Sequence, residues 1–339
     1  MSSAIIQYTL PDFFSLCPFD FSKPSPHLQE CSAESKAWAT RFNVCNDKQN
    51  AIMEKSQSEL LCALAYPYAG REGFRTTCDF LNLLFVLDHL SDDMNGKDAN
   101  GACEVFYQVM ADPDFKHESN LAKIILDFRQ AVIRSAKPQF FKHFLSSLKG
   151  YTKAVAQEAE LREAGGVLDL INFVPLRREN SAVRCCFAFI EYNLDIELPD
   201  AVFDDPIFQS VYFAAVDMVC WTNDLLSYNV EQAMGHTSNN IVTILMREKD
   251  ASVQDAADCI GVVFEQLMAR FLKDKSRLPS WGADIDRDVA LYVEALTRWV
   301  GGNLVWSFQC SRYFGTANNV ALLTRLVTLY PKDIEDERE

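Results

Sequence analysis

The side chains of this sequence best spaced for chemistry are oxygen donors in two groups. Asp88 and Asp92 stand at i and i+4. On a helix both carboxylates therefore share one face, a turn apart. Asp93 follows on the neighbouring face. Asn223, Ser227 and Glu231 stand at i, i+4 and i+8, and at 3.6 residues per turn they drift by only about 80°, which makes one polar stripe. Amide, hydroxyl and carboxylate oxygens are hard ligands of the kind Mg²⁺ prefers, and Mg²⁺ keeps places open for water or substrate phosphates. No Lys or Arg lies within a turn of Asp88, and like charges held side by side are costly unless a cation neutralises them. The plain alternative for each group is a solvated polar face. For the first group, acidic residues at a helix C-terminus would then oppose the helix dipole.

The segments that carry these donors are unusual. Residues 80–90 read FLNLLFVLDHL and residues 207–221 read IFQSVYFAAVDMVCW. Both are apolar nearly all round, which places a helix inside a bundle and not on its surface. Each apolar run is then interrupted by oxygen groups. Together the two sets suggest one cleft with metal ligands on facing walls, suited to a diphosphate held between metal ions.

The rest of the chain supports an all-α reading. Helical periodicity dominates from about residue 30 onward. It predicts helices near 31–46, 50–64, 74–92, 101–110, 119–135, 138–163, 180–193, 207–234, 239–246, 252–273, 283–311 and 317–329. Glycine totals only 13 and alternating β-branched runs are lacking, so a sheet is not expected. Residues 1–30, rich in Pro and aromatics, read as an arm packed on a single bundle domain of residues 31–330. The acidic segment 331–339 reads as a solvated tail. The Gly- and Asn-rich stretch MNGKDANG, residues 94–101, is expected to be a loop that closes over bound diphosphate.

Composition removes several classes of function. The 339 residues are 49% hydrophobic with 24 Phe, enough for a sizeable core. Net charge is −15 without a Lys/Arg cluster, a poor match to nucleic acid or anionic membranes. The 11 Cys show no CxxC spacing and read as buried free thiols in a reducing, cytoplasmic setting. The N-terminal MSSAIIQYTLPDFF lacks the basic start of a signal peptide, and no run is long enough to span a membrane.

The motifs resemble those of class I terpene synthases. LDHLSDD around Asp88–Asp93 looks like the family's aspartate-rich motif. NDLLSYNVE, from Asn223 to Glu231, matches its Asn/Ser/Glu metal motif. Ser311-Arg312-Tyr313 looks like the late Arg-Tyr pair, and Arg177-Arg178 resembles the arginine that senses diphosphate, with Arg178 favoured over Arg177. The metal motif followed by Asn239-Asn240-Ile241-Val242 is close to fungal, basidiomycete-type sesquiterpene synthases. The sequence departs from the pattern at His89, where a second acid would stand, and at Val230, where a Lys is common. It departs again at Asn180-Ser181-Ala182, where the family has Gly-containing text.

The resemblance implies a single helical bundle around a central apolar cavity. It also implies a Mg²⁺ cofactor, as a three-ion cluster held by Asp88, Asp92, Asn223, Ser227 and Glu231. Arg178, Arg312 and Tyr313 would bind the diphosphate of an isoprenyl diphosphate substrate. Phe80, Phe85, Phe187 and Trp306 are candidates to face the carbocation, since aromatic faces attract cations without offering a nucleophile. The implied reaction converts farnesyl diphosphate to a sesquiterpene hydrocarbon or alcohol. Geranyl diphosphate, giving a monoterpene, is the alternative substrate, and a chain-elongating prenyltransferase is the more distant one. No nucleic-acid or membrane partner is expected, and the chain would act as a monomer or homodimer.

Overall fold

Two proline-started helices frame the architecture. Asp205 caps the longer one, its carboxylate accepting from the amides of Ile207 and Phe208, and Pro206 occupies the first turn, where a missing N–H costs nothing. That helix runs Pro206–Met234 and ends at Gly235, whose φ of +80° suits a residue without a side chain. Most of its length is buried, as its all-round apolar sequence requires. The other starts at Pro138 and runs to Glu163.

In this computed structural model the residues described are 6–20, 23–92, 94–235 and 238–331, with the Asp92 side chain left out. In chain order the helices are α1 Phe13–Leu16, α2 Leu28–Thr40, α3 Asp47–Ser56, α4 Ser58–Ala65, α5 Arg71–Asp92 and α6 Gly96–Ala111. There follow α7 Asn120–Ile133, α8 Pro138–Glu163, α9 Leu170–Asn180, α10 Val183–Leu194, α11 Asp200–Phe203 and α12 Pro206–Met234. The last are α13 Ile241–Lys249, α14 Val253–Lys275, α15 Ala283–Gln309 and α16 Asn318–Thr324. The fold is an all-α bundle. Helix α12 packs on α14 and α15, α15 on α4, α4 on α5, and α8 on α6, α9 and α10.

A short β ladder clasps the N-terminal segment to the C-terminal one. Strand β1, Gln7–Thr9, runs antiparallel to β2, Leu326–Thr328, with Tyr8 opposite Val327. Phe13 then packs edge-on against Phe264 of α14 at 5.1 Å. The expected helix over 317–329 is therefore cut short. Arg325 takes a left-handed φ of +57°, which ends α16, and the chain continues extended.

Residues 94–101 differ from expectation as well. Asn95 is an N-cap whose side chain accepts from the Asp98 amide, and α6 begins at Gly96 and runs straight through Gly101. An Asn-Gly pair marks a helix start as readily as a turn, and here it does the former. From Gly96 onward the stretch is thus helix and not loop. Residues 332–339, most of the expected tail, lie outside the described residues, as do Asp93 and the side chain of Asp92. All 11 cysteines are free thiols, nine of them buried. Among the described residues no helix is long and apolar enough to cross a membrane.

Candidate active site

Four long helices and one helix break converge on a central cavity. Helix α5 contributes Leu81, Leu84, Phe85 and Asp88, and α8 contributes Tyr151. The α9–α10 junction adds Arg177, Asn180, Ser181, Ala182, Val183 and Cys186. Helix α12 supplies Val219, Cys220, Asn223 and Glu231, and α15 supplies Trp299, Asn303 and Trp306. Arg312 and Tyr313, just after α15, and Leu61 of α4 complete the wall. Spacing explains the register: residues 81, 84, 85 and 88 fall on one face of α5, as do 219, 220 and 223 on α12.

Polar groups bring the two motifs together through a hydrogen-bonded arc. Arg177 donates from Nε to Asp224 Oδ1 (2.8 Å), from Nη1 to Asn180 Oδ1 (3.2 Å) and from Nη2 to Asn223 Oδ1 (3.0 Å). Asn223 Nδ2 donates to the Tyr313 hydroxyl at 2.8 Å. On the α5 side, Arg312 Nη2 lies 3.4 Å from Asp88 Oδ2 and Nη1 donates to Ser56 Oγ at 3.0 Å. The Arg312 guanidinium also sits 5.2 Å over the Phe85 ring. Asp88, Arg312, Tyr313, Asn223, Arg177 and Glu231 thus share one cavity.

Glu231 is held from the far side. Asn240 donates from Nδ2 to Glu231 Oε2 (2.8 Å) and to the Asp224 carbonyl (2.8 Å), while its Oδ1 caps the Val242 amide. The Asn239–Val242 text singled out in the sequence therefore includes a support for the carboxylate. Burial, reinforced by Asp224, raises the Glu231 pKa. Burial alone would lower Arg177, but the Asp224 carboxylate more than offsets this and keeps it firmly charged. Glu158 accepts from Asn180 Nδ2 at 2.8 Å, and burial pushes its carboxyl up to about 7 against the pull of Arg177.

Not every expected residue reaches the cavity. Arg178 points away from it, in a bidentate pair with Asp217 (2.6 and 2.7 Å) and 4.8 Å over the Phe213 ring. Its neighbour Arg177 is the arginine on the wall. Phe80 is enclosed by Phe128, Phe144 and Phe189 in the core between α5, α7, α8 and α10. Phe187 is likewise fully buried, edge-on to Tyr212 and Trp299. Neither lines the cavity, whereas Phe85 and Trp306 do. Ser227 sits behind the wall, 2% exposed, with its hydroxyl on the Asp224 carbonyl at 3.3 Å. Ala182 takes φ +57° between α9 and α10, a conformation that strains a residue with a Cβ and breaks the two helices apart at the cavity. Sequence reasoning missed Asn180 as a partner of Arg177, Asp224 as its anchor, and Tyr151, Trp299 and Asn303 as lining. The Asp224 signal was available, since an acid amid so apolar a run needs a buried counter-charge.

The donor set suits a hard divalent cation. Asn223 and Glu231 offer oxygens at the wall, with Ser227 behind them and Asp88 across the cavity. Among the described residues no three His, Cys, Asp or Glu side chains gather to hold an ion by themselves. The set fits an ion that takes part of its coordination from water and phosphate.

The family description "Terpene synthase family 2, C-terminal metal binding" matches residues 79–270, the stretch that holds both motifs. The chain belongs to this terpene synthase family. The synthase is 40% identical to a protein of Sphaerobolus stellatus named sesquiterpene synthase M422DRAFT_47084, over 90% of its own length and 89% of that relative's. It is 46% identical to a protein of Coprinopsis cinerea named linoleate 10R-lipoxygenase COP4, over 97% and 94% of the two chains. Among solved structures, hedycaryol synthase in complex with HEPES superposes with a TM-score of 0.77 at 19% identity, covering 88% of the synthase and 98% of that chain. That likeness supports the bundle fold.

Proposed function

We propose that this terpene synthase is a Mg²⁺-dependent sesquiterpene synthase that ionises farnesyl diphosphate and converts the carbocation to a sesquiterpene hydrocarbon or alcohol. The observation that carries the reading is the division of one cavity. Arg177, Arg312, Tyr313, Asp88, Asn223 and Glu231 supply a polar wall, and Leu61, Leu81, Leu84, Val219, Trp299 and Trp306 supply an apolar one. A diphosphate and a hydrocarbon tail need those two environments in one place.

Asp88 and the Asn223/Ser227/Glu231 set, with Asp92 alongside, are the proposed holders of a three-ion Mg²⁺ cluster, which when bound supplies Lewis-acid neutralisation of charge on the leaving diphosphate. Arg177 takes the sensing role first assigned to Arg178, because it is the one that lines the cavity. With Arg312 it offers the planar fork that suits phosphate oxygens. The Tyr313 hydroxyl accepts from Asn223, which leaves its own proton for a diphosphate oxygen. Phe85 and Trp306 present π faces to the cation, each contributing roughly 0.5–2 kcal/mol. The Trp306 ring is fixed by its N–H donating to the Ser56 carbonyl at 2.8 Å. Cys220 also lines the cavity, but burial pushes its thiol up to about 12. It stays neutral and is a weak trap for the cation.

The lipoxygenase name of one relative does not suit this wall. Iron sites for oxygenation draw on imidazole ligands, and none of His27, His89, His117 or His143 lines the cavity; His236 lies outside the described residues. Purified protein with Mg²⁺, offered geranyl, farnesyl and geranylgeranyl diphosphate in turn, should release C15 volatiles from farnesyl diphosphate and none after EDTA. Volatiles from geranyl diphosphate alone would make it a monoterpene synthase. Longer diphosphates instead of volatiles would make it a prenyltransferase, and oxygenation of linoleate, offered separately, with no product from any prenyl diphosphate would overturn all three readings.

A further inference from the structure

Asn303 places an amide where an apolar lining would be expected. It lines the cavity from α15, is 3% exposed, and has cavity-lining indoles on either side of it on its helix face, Trp299 and Trp306. Its Nδ2 donates to Thr222 Oγ at 3.2 Å. The Thr222 hydroxyl donates to the Met218 carbonyl at 2.7 Å, so its oxygen is left as an acceptor and fixes which way the amide lies. Asn303 Oδ1 has no hydrogen-bond donor among the described residues. An acceptor oxygen on this wall without a protein donor is open to a ligand that brings positive charge.

We propose that Asn303 is a further catalytic residue: its side-chain oxygen, locked in place by the Thr222 hydroxyl, stabilises positive charge on the prenyl chain once diphosphate has left. The proposal rests on the cavity being the site of carbocation chemistry, as argued above. The negative end of a fixed amide dipole acts strongly in a dry, low-dielectric cavity and needs no reorganisation when charge develops. Thr222 does not line the cavity. It is a positioning residue that acts through Asn303.

The test uses the full-length protein with farnesyl diphosphate and Mg²⁺, reading kcat, KM and the volatile products of Asn303→Leu, Thr222→Val and Thr222→Ser. Affinity for inorganic pyrophosphate with Mg²⁺ is measured alongside by calorimetry. Asn303→Leu should lower kcat about tenfold and alter the product mixture, with KM and pyrophosphate affinity within about twofold of wild type. Thr222→Val should move kcat and products in the same direction by a smaller factor, and Thr222→Ser should restore both. A folded Asn303→Leu protein with wild-type turnover and products would overturn the role. If that variant does not fold, Thr222→Val decides, and wild-type products from it would overturn the lock. Absence of volatiles from the wild-type protein with every prenyl diphosphate would instead remove the proposed function on which the role depends.

Discussion

Arg312 ties the segment after α15 to the aspartate motif: its Nη2 lies 3.4 Å from Asp88 Oδ2 across the cavity. The Asp88 side chain is half exposed and that of Arg312 about a quarter exposed. A pair this open to water contributes less than about 1 kcal/mol to stability, and both partners line the cavity, where they can meet a ligand. Asp88→Asn should therefore lower kcat/KM by about a hundredfold or more. Thermal unfolding of the metal-free protein should stay close to wild type. A large loss of stability with intact turnover would make Asp88 a structural anchor.

The two adjacent arginines separate cleanly by substitution. Arg177→Lys replaces a planar fork with a point charge at the cavity wall and should weaken Mg²⁺-pyrophosphate binding more than tenfold. Arg178→Lys disrupts the bidentate pair with Asp217, which is 5% exposed. It should lower stability by about 1–3 kcal/mol while leaving pyrophosphate affinity within about twofold. Calorimetric titration and chemical unfolding of both variants check this. The reverse pattern would return the sensing role to Arg178.

How much of this was legible in the sequence depends on which force set each feature. Helices buried on most sides announce themselves, because an apolar run bounded by Pro and Gly has few other fates. The predicted 138–163 matches α8 at both ends, and 207–234 differs from α12 by one residue. Helix α9 was invisible. Pro175 stands in its interior and only Phe173, Leu176 and Asn180 are buried, so no apolar stripe offsets a residue that lacks an N–H. That helix carries Arg177 and Arg178, and without it their directions could not be told apart. Phe80 and Phe187 show a similar limit. Periodicity puts an aromatic inside a bundle but does not say whether it meets another helix or a cavity. Asn240, by contrast, was visible as text and silent as to role, because its support of Glu231 is a contact between α12 and the turn beyond it.

His143 makes stability depend on pH well away from the cavity. Its Nδ1 lies 2.7 Å from Glu191 Oε2 and its Nε2 lies 3.2 Å from Asp200 Oδ1. Lys142 also bonds Asp200, and Gln139 contacts both the imidazole and Asp200. Burial alone would lower the His143 pKa, but the Glu191 and Asp200 carboxylates outweigh it and the net shift is upward. The folded state then holds the proton more tightly than the unfolded chain. The stabilisation is fully present below the ordinary imidazole value of 6.5 and is lost as pH rises through the raised folded value. Urea unfolding across that range should show stability falling for wild type. His143→Gln should flatten the slope and, by leaving buried Glu191 without its cation, lower stability at pH 6 by about 3 kcal/mol. An unchanged slope in the variant would assign the pH dependence to another group.

Gly302 sets how close α15 approaches α4, and through that contact the shape of the cavity. A Cβ at this position would lie 3.0 Å from the Leu64 carbonyl carbon and 3.1 Å from the Ala65 amide nitrogen. Both are backbone atoms, which cannot rotate aside as a side chain can. Gly302→Ala therefore requires α4 to move by a few tenths of an ångström. In an exposed helix interior the same change would stabilise by about 1 kcal/mol; here overpacking should dominate and lower stability by about 1–3 kcal/mol. The displaced helix carries Leu61, which lines the cavity, and α4 begins beside the Gln57 carbonyl that accepts from the Trp306 N–H at 3.1 Å. Neither residue belongs to the polar wall. The variant should bind Mg²⁺-pyrophosphate as wild type does and release a different mixture of terpene products, read by gas chromatography with mass detection. Unchanged products together with lowered stability would show that α4 yields without reshaping the cavity.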